Sequence, residues 1–232
     1  MLLCLLSTFN SERGIFRKYY HDKIISVNVS NTSKLHFDGR FQDSSPDLAI
    51  QPVDKKEDWS SGCSKNHAVF PWITFSLKNK KFVFDAYFIR SGCGYYGYCC
   101  DENIGCCACT LYSWLLQISD DNFTWIDVHK VEKDKSLTRC RSKTYQMDSK
   151  YTAKYIRLIQ TEATSGEPPC IAINRIDFLG KAINDDGTED ISEEEEEEEA
   201  DAKIENLTPA HDEDEDISII GHVSKYNHHQ AV

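Results

Sequence analysis

The hydrophobic pattern is clearest in the middle of the chain, where large apolar residues occupy alternate positions. Trp114, Leu116 and Ile118 can therefore share one buried face of a strand. The sequence Ser-Asp-Asp-Asn at 119–122 then favours a tight turn, because these side chains hydrogen-bond to their own backbone. Apolar residues resume within 125–128. The pattern predicts two strands joined by a polar turn.

Other segments have the β-branched and aromatic content of half-buried strands. These segments are 24–29, 70–77, 81–90, 155–161, 171–180 and, more weakly, 143–147. The last strand changes phase, since Ile171 and Ile173 share one parity whereas Ile176 and Phe178 share the other. One extra residue near Asn174, a β-bulge, explains this change. Many short strands with almost no helical periodicity predict an all-β sandwich or barrel.

Six short motifs follow one another along this pattern. They are Trp-Ser-Ser at 59–61, PWITFSL at 71–77, FIRSG at 88–92, SWLLQISDDNFTW at 113–125, KYIRL at 154–158 and the segment 171–180. In this order they resemble the coagulation factor V/VIII type C domain, also called the discoidin domain, over roughly residues 24–182. The turn departs from the family pattern, since Ile118 stands where the family has glycine. The spacing is most similar to that of intracellular, adaptor-like members.

The resemblance implies a jelly-roll-like, galactose-binding-like β-sandwich whose loops at one end recognise a ligand. It implies a non-catalytic module for carbohydrate, phospholipid headgroup or protein. The loops expected to face the ligand are 42–68, 92–111 and 162–169. They are polar and tyrosine-rich, without the apolar spikes of the lipid-binding members, so we expect a carbohydrate or protein partner and no membrane.

Five residues are candidates for ligand contact. Trp59 matches the family's loop tryptophan, and Arg90 lies at a strand position where the family also has arginine. The alternative for Trp59 is packing at the barrel end, and for Arg90 it is pairing with a buried carboxylate or carbonyl. Tyr95, Tyr96 and Tyr98 lie on a glycine-rich loop. They could stack on a sugar, fill a partner's groove or cover the barrel end.

The same loop is rich in cysteine. Six of the ten cysteines lie within 93–109, where the family has a shorter connection. Three interpretations remain open: a structural zinc site, local disulfides in an oxidising compartment, or reduced thiols without a function. The candidate zinc ligands are Cys99, Cys100, Cys106, Cys107 and Cys109. The disulfide that brackets the domain in secreted members of the family has no counterpart here, because no cysteine follows Gly180.

Charge divides the chain near position 182. Residues 183–232 hold 18 acidic and 2 basic residues, a net charge of −16, whereas the rest carries +4. We therefore expect an N-terminal extension (1–23, with apolar pairs that allow a short helix), a sandwich domain (24–182) and a disordered acidic tail (183–232). The slightly basic body contains no basic run with interleaved aromatics, so nucleic acid is not an expected partner.

The tail contains one sharper motif. The acidic run 212–216 is followed at once by Ile217, Ile219 and Ile220, a pattern that resembles a SUMO-interacting motif. A short apolar segment of this kind can add as a strand to a partner's sheet edge while the acidic residues meet a basic rim. The alternative to a ligand-binding module is therefore a scaffold or adaptor that acts mainly through its tail, by way of the segment 212–220.

No motif indicates catalysis. The histidines are scattered without metal-ligand spacing, and the sequence has no phosphate-binding glycine loop, His-Glu-x-x-His or Gly-x-Ser-x-Gly motif. The apolar start lacks the basic region and the cleavage site of a signal peptide. No apolar run reaches the ~20 residues that a membrane-spanning helix needs. We expect a cytoplasmic or nuclear protein that is not an enzyme and has no cofactor, apart from the zinc alternative.

Overall fold

The computed structural model of the protein describes residues 13–37, 40–64, 66, 68–93, 99–101, 105–107 and 109–189. All of them belong to one compact unit, Met1–Asp190. Within these ranges the chain forms a short helix, a 3-10 helix and a series of antiparallel strands. None of these helices has the length and apolar character needed to cross a bilayer.

The helices are α1 (Ile15–Tyr19) and the 3-10 helix Pro46–Ile50. The strands are β1 (Ile25–Val29), β2 (Lys34–Phe37), β3 (Arg40–Asp43), β4 (Trp59–Ser60), β5 (Trp72–Leu77), β6 (Lys80–Ser91), β7 (Cys99–Asp101), β8 (Gly105–Cys107), β9 (Ser113–Ser119), β10 (Ile126–Val131), β11 (Ser142–Ala153), β12 (Tyr155–Glu162) and β13 (Ala172–Asn184).

Nine of the strands form an antiparallel sheet that folds into two layers. Five strands run in the order β10-β9-β12-β5-β1, and four run in the order β11-β6-β13-β4. The two runs are joined by a single pair, Leu77 with Lys80, at the turn between β5 and β6. The predicted all-β jelly-roll sandwich is confirmed. The pairs β2–β3 and β7–β8 form separate hairpins in regions where the sequence predicted loops.

The core lies between the two layers, and the predicted alternation fills it. Trp114 and Leu116 of β9 and Ile156 and Leu158 of β12 are fully buried on one layer. From the other layer, Phe178 of β13 packs against Phe75 of β5, with ring centroids 5.7 Å apart. Trp114 also donates a hydrogen bond from Nε1 to the hydroxyl of Tyr87 in β6, at 3.1 Å, which ties the layers together.

The helix α1 is part of this core rather than an extension outside it. Phe16 is fully buried, with its ring centroid 5.1 Å from that of Phe75 and 5.4 Å from that of Phe178. The backbone N–H groups of Phe16 and Arg17 donate to the carboxylate of Asp177 in β13, at 2.7 and 3.2 Å. The folded unit therefore begins before residue 24. It also continues past residue 182, because β13 extends to Asn184.

Two irregularities in β13 decide which residues face outward. The predicted bulge is confirmed, since the register with β6 shifts between Ile173 and Arg175. A second shift lies between Leu179 and Gly180. A Cβ on Gly180 would lie 2.0 Å from the carbonyl oxygen of Val83, so only glycine permits this close approach.

The buried positions of β6 change from even to odd numbers along the strand. Phe82 and Phe84 are buried in its first half, and Tyr87 and Ile89 are buried in its second half. Phe88 therefore lies on the outer face of the four-stranded layer. The partner strand β11 is longer than its predicted segment 143–147, and its register with β6 shifts between Gln146 and Tyr151.

Replacing Phe16 with alanine tests the place of α1 in the core. We expect the free energy of unfolding to fall by about 3–5 kcal/mol, because the cavity would open among packed aromatic rings. The matched control is Phe123→Ala in the turn after β9, where the side chain is 90% exposed. The control is expected to change stability by less than about 0.5 kcal/mol. Equal urea midpoints for the two variants would show that α1 does not belong to the core.

Candidate functional site

A groove of about 490 Å³ lies on the outer face of the four-stranded layer, beside α1. The residues that define this groove and matter for its chemistry are Phe88, Arg175, Ser142, Thr144, Lys143 and Arg17. Ligand pockets of proteins commonly have volumes of roughly 300–1,000 Å³ and combine apolar walls with a few polar groups. The groove is thus the candidate functional site.

Strand register explains why these residues meet. Phe88 of β6 pairs with Thr144 of β11 on one side and with Asp177 of β13 on the other. Two positions further along β6, Arg90 pairs with Ser142 and Arg175. Residues directly opposite one another on neighbouring strands share a face of the sheet. Three strands that are distant in sequence therefore contribute to one surface.

Charge is fixed at one end of the groove by a shared carboxylate. Asp54 pairs with Arg90 at 2.5 Å and with Arg175 at 3.0 Å. Arg175 also donates to the carbonyl of Pro52 at 3.1 Å, and its guanidinium lies 4.5 Å from the centroid of the Phe88 ring. These contacts hold the guanidinium and the aromatic ring together as one platform.

Two further basic residues line the groove. Arg17, on α1, is exposed. Lys143 lies opposite the buried Ile89 in register, and its ammonium pairs with Asp134 at 2.7 Å and lies 4.8 Å from the centroid of the Tyr145 ring. The charge of Lys143 is therefore balanced by Asp134, as that of Arg175 is by Asp54.

The carboxylate of Asp177 also lines the groove, but α1 already uses it. Its oxygens accept the N–H groups of Phe16 and Arg17. Burial raises the pKa of Asp177 to about 6, although these hydrogen bonds act in the opposite direction. Asp177 thus positions α1 as a wall of the groove.

The bulge in β13 anchors the loop that carries Asp54. The side chain of Asn174 is fully buried and donates from Nδ2 to the carbonyl of Lys55 and to Oδ1 of Asp58, both at 2.9 Å. Lys55 returns a hydrogen bond from Nζ to the carbonyl of Asn174 at 2.6 Å. Burial lowers the pKa of Lys55 to about 8, against the attraction of Asp58. Asp58 accepts the N–H of Cys93 at 2.6 Å, so the network continues into the next loop.

The candidates for ligand contact end up in different places. Trp59 is fully buried, and its Nε1 lies 3.4 Å from the hydroxyl of Thr32. Full burial fits the alternative for Trp59, packing at the barrel end. The charge of Arg90 pairs with Asp54, which also binds Arg175. The side chain of Asp54 is 50% exposed, so this partner differs from the buried carboxylate or carbonyl of the alternative. Tyr95, Tyr96 and Tyr98 lie outside the described residues.

The cysteines do not follow any single one of the three interpretations. Cys93 forms a disulfide with Cys140, which lies outside the cysteine-rich loop. Cys109 is buried next to Cys63 and Cys170, neither of which was among the predicted zinc ligands. For Cys99, Cys100, Cys106 and Cys107 the structure describes only the backbone, as the hairpin β7–β8. The tail residues Ile217, Ile219 and Ile220 lie outside the described ranges.

Sequence reasoning missed most of the groove. Phe88 was recognised as part of a strand but not as a surface residue. One signal was available, since Tyr87 and Ile89 flank Phe88 and would face the core together. Arg175 and Ser142 offered no such signal, because their proximity to Phe88 depends on strand pairing alone.

Comparisons with known proteins concern the architecture. No protein-family model matches the sequence, and neither does any curated protein. Solved structures with a similar fold include CBM32-3 from a family 31 glycoside hydrolase of Clostridium perfringens, with a TM-score of 0.49, 13% identity and coverage of 74% of this chain and 97% of that one.

Two further structures are similar at the same level. One is CpGH89CBM32-5 from Clostridium perfringens, solved with GalNAc-β-1,3-galactose, with a TM-score of 0.48, 12% identity and coverage of 67% of this chain and 95% of that one. The other is an allantoicase, with a TM-score of 0.45, 12% identity and coverage of 67% and 40%. One is a carbohydrate-binding module and the other an enzyme.

The raised pKa of Asp177 gives a pH-dependent prediction. The folded state holds this proton more tightly than the unfolded chain, whose aspartate has a pKa near 3.8. The resulting stabilisation is complete below about pH 4 and is lost as the pH rises to about 6. Asp177→Asn has no such titration. The unfolding free energy of the wild type minus that of the variant should therefore fall across this window, as measured by urea denaturation, and level off above it.

Asp186→Asn is the matched control. Asp186 is exposed, and hydrogen bonds from Thr188 lower its pKa. The contribution of Asp186 to the free energy of unfolding is therefore lost only as the pH falls below the ordinary range of a carboxyl group. The unfolding free energy of the wild type minus that of Asp186→Asn should not decline between about pH 4 and pH 6. A wild-type-minus-Asp177→Asn difference that stays flat over this window would contradict the assignment.

Proposed function

We propose that the domain is a non-catalytic binding module of discoidin type and that it binds a carbohydrate in the groove. The observation that carries this proposal is the platform of Phe88 and Arg175 at the floor of a concave surface about 490 Å³ in volume. An aromatic ring surrounded by a few fixed polar groups suits a ligand that has an apolar ring face and many hydroxyl groups. The sequence resemblance to discoidin domains points to the same class of ligand.

The polar groups of the groove supply hydrogen-bond donors and acceptors of the kind that saccharide hydroxyl groups bind. Arg175 is already oriented by Asp54 and the carbonyl of Pro52, so its remaining N–H donors require little ordering on binding. Ser142 and Thr144 offer hydroxyl groups, which can both donate and accept. Arg17 adds an exposed guanidinium to the lining of the groove. Hydroxyl-rich saccharides, both neutral and acidic, are therefore the ligands to test.

The same groups disfavour hydrolysis of the bound saccharide. Most glycosidases use two carboxyl groups, about 5–10 Å apart, on either side of the scissile bond. Among the described residues that line the groove, Asp177 is the single carboxylate, and it accepts hydrogen bonds from the backbone of α1. This arrangement supports binding without catalysis.

Replacing Phe88 with alanine tests the proposal. A glycan array that includes neutral and acidic oligosaccharides would identify a ligand for the full chain, and calorimetry would then measure its affinity. We expect Phe88→Ala to weaken binding about tenfold or more, because truncating a central aromatic contact commonly costs ~2 kcal/mol or more, and a tenfold change in affinity corresponds to ~1.4 kcal/mol. Phe123→Ala, in an exposed turn outside the groove, should leave affinity unchanged.

Two results would contradict this function. One is the absence of binding to any glycan on the array, and the other is a ligand whose affinity is unaffected by Phe88→Ala. A partner protein that is captured equally well by both variants, and lost when 191–232 is deleted, would support the tail-mediated alternative.

A further inference from the structure

Three buried cysteines converge at the end of the sandwich, away from the groove residues. Cys63, Cys109 and Cys170 are exposed by 8%, 4% and 1%, and their Sγ atoms all lie within 4.8 Å of one another. Each comes from a different loop: Cys63 follows β4, Cys109 precedes β9 and Cys170 precedes β13. We call these three residues the cysteine cluster.

Backbone hydrogen bonds hold the three loops in register around the cluster. The N–H of Ser64 donates to the carbonyl of Pro169 at 3.0 Å, which joins the residues next to Cys63 and Cys170. The N–H of Ala172 donates to the carbonyl of Cys109 at 2.9 Å. Gln160, itself buried, donates to the carbonyl of Cys170 at 3.1 Å. The thiols are thus brought together by a rigid frame, as a preorganised site requires.

The geometry is close to that of a tetrahedral thiolate site. Zinc binds thiolate sulfur at about 2.3 Å, so two sulfurs on one tetrahedral ion lie about 3.8 Å apart. The cluster needs a contraction of about 1 Å or less at its widest pair to reach that spacing. Its donors are all sulfur, the ligand type that selects zinc over magnesium or calcium.

One metal ion can bind all three thiols of the cluster, whereas a disulfide would use only two of them. Cysteine thiolates are the usual ligands of structural zinc.

We propose that Cys63, Cys109 and Cys170 together bind one structural zinc ion. The sequence alone placed the zinc alternative wholly within the cysteine-rich loop. The structure moves two ligands, Cys63 and Cys170, to loops far from it in the chain. The ion joins the starts of β9 and β13 to the end of β4 and fixes the cysteine-rich loop between them. This role is independent of the carbohydrate groove.

The full chain, purified with reducing agent and without added chelator, should contain one zinc ion per chain by elemental analysis and native mass spectrometry. Replacing the zinc with Co²⁺ should give the visible and near-ultraviolet bands of tetrahedral cobalt thiolate, with an intensity set by the number of sulfur ligands. Removing the zinc with a chelator should lower the melting temperature. These measurements on the wild type do not depend on whether a variant folds.

Variants then assign the ligands. Cys63→Ser, Cys109→Ser and Cys170→Ser should each lower zinc affinity at least tenfold in competition with a chromogenic chelator. The control is the double variant Cys93→Ser/Cys140→Ser, which removes the disulfide and should keep one zinc ion.

Three results would overturn the proposal. The first is a wild-type protein without zinc after refolding in its presence. The second is a disulfide between two members of the cysteine cluster, found by peptide mapping of protein that was purified with reducing agent. The third is full zinc affinity in Cys63→Ser or Cys170→Ser, which would exclude the cysteine cluster as the zinc site.

Discussion

The single extra residue in β13 at Asn174 is the constraint on which the rest of this structure depends. Without it, Arg175 and Asp177 would share the buried face of Ile173, and charged groups would be placed in the core at a high cost. With it, Ile176 and Phe178 face the core, while Arg175 and Asp177 face outward. The bulged Asn174 turns inward and binds the loop that carries Lys55 and Asp58. The bulge thus determines which residues of β13 enter the core, which line the groove, and how the loop of Lys55 and Asp58 is held.

Two carboxylates, those of Asp177 and Asp54, orient other groups on the surface of the sheet. Asp177 accepts two N–H groups from α1 and so positions the aromatic core contact of Phe16. Asp54 holds Arg90 and Arg175 together over the outer face. Both carboxylates act by orienting other groups, which is why the groove presents fixed cations and an aromatic ring rather than reactive acids. This arrangement is the basis of the binding role that we propose for the groove.

The end of the sandwich is stabilised differently. There the strands give way to loops, which are joined by backbone hydrogen bonds such as that from the N–H of Ser64 to the carbonyl of Pro169. The disulfide of Cys93 with Cys140 and the buried cluster of Cys63, Cys109 and Cys170 lie in this region. The disulfide is one covalent link between loops, and the zinc site that we propose would join three loops.

The sequence by itself determined most strands of the main sheet, the faces they bury and the bulge near Asn174, because alternation of side chains is a local property with a period of two residues. It also supported the sandwich class. Only the tertiary structure decided that Phe88, Ser142 and Arg175 form one groove, that α1 belongs to the core, and that Cys109 meets Cys63 and Cys170, which are distant from it in the chain. These outcomes depend on the register between strands and loops that are distant in the chain, and no local pattern of polar and apolar residues encodes that register.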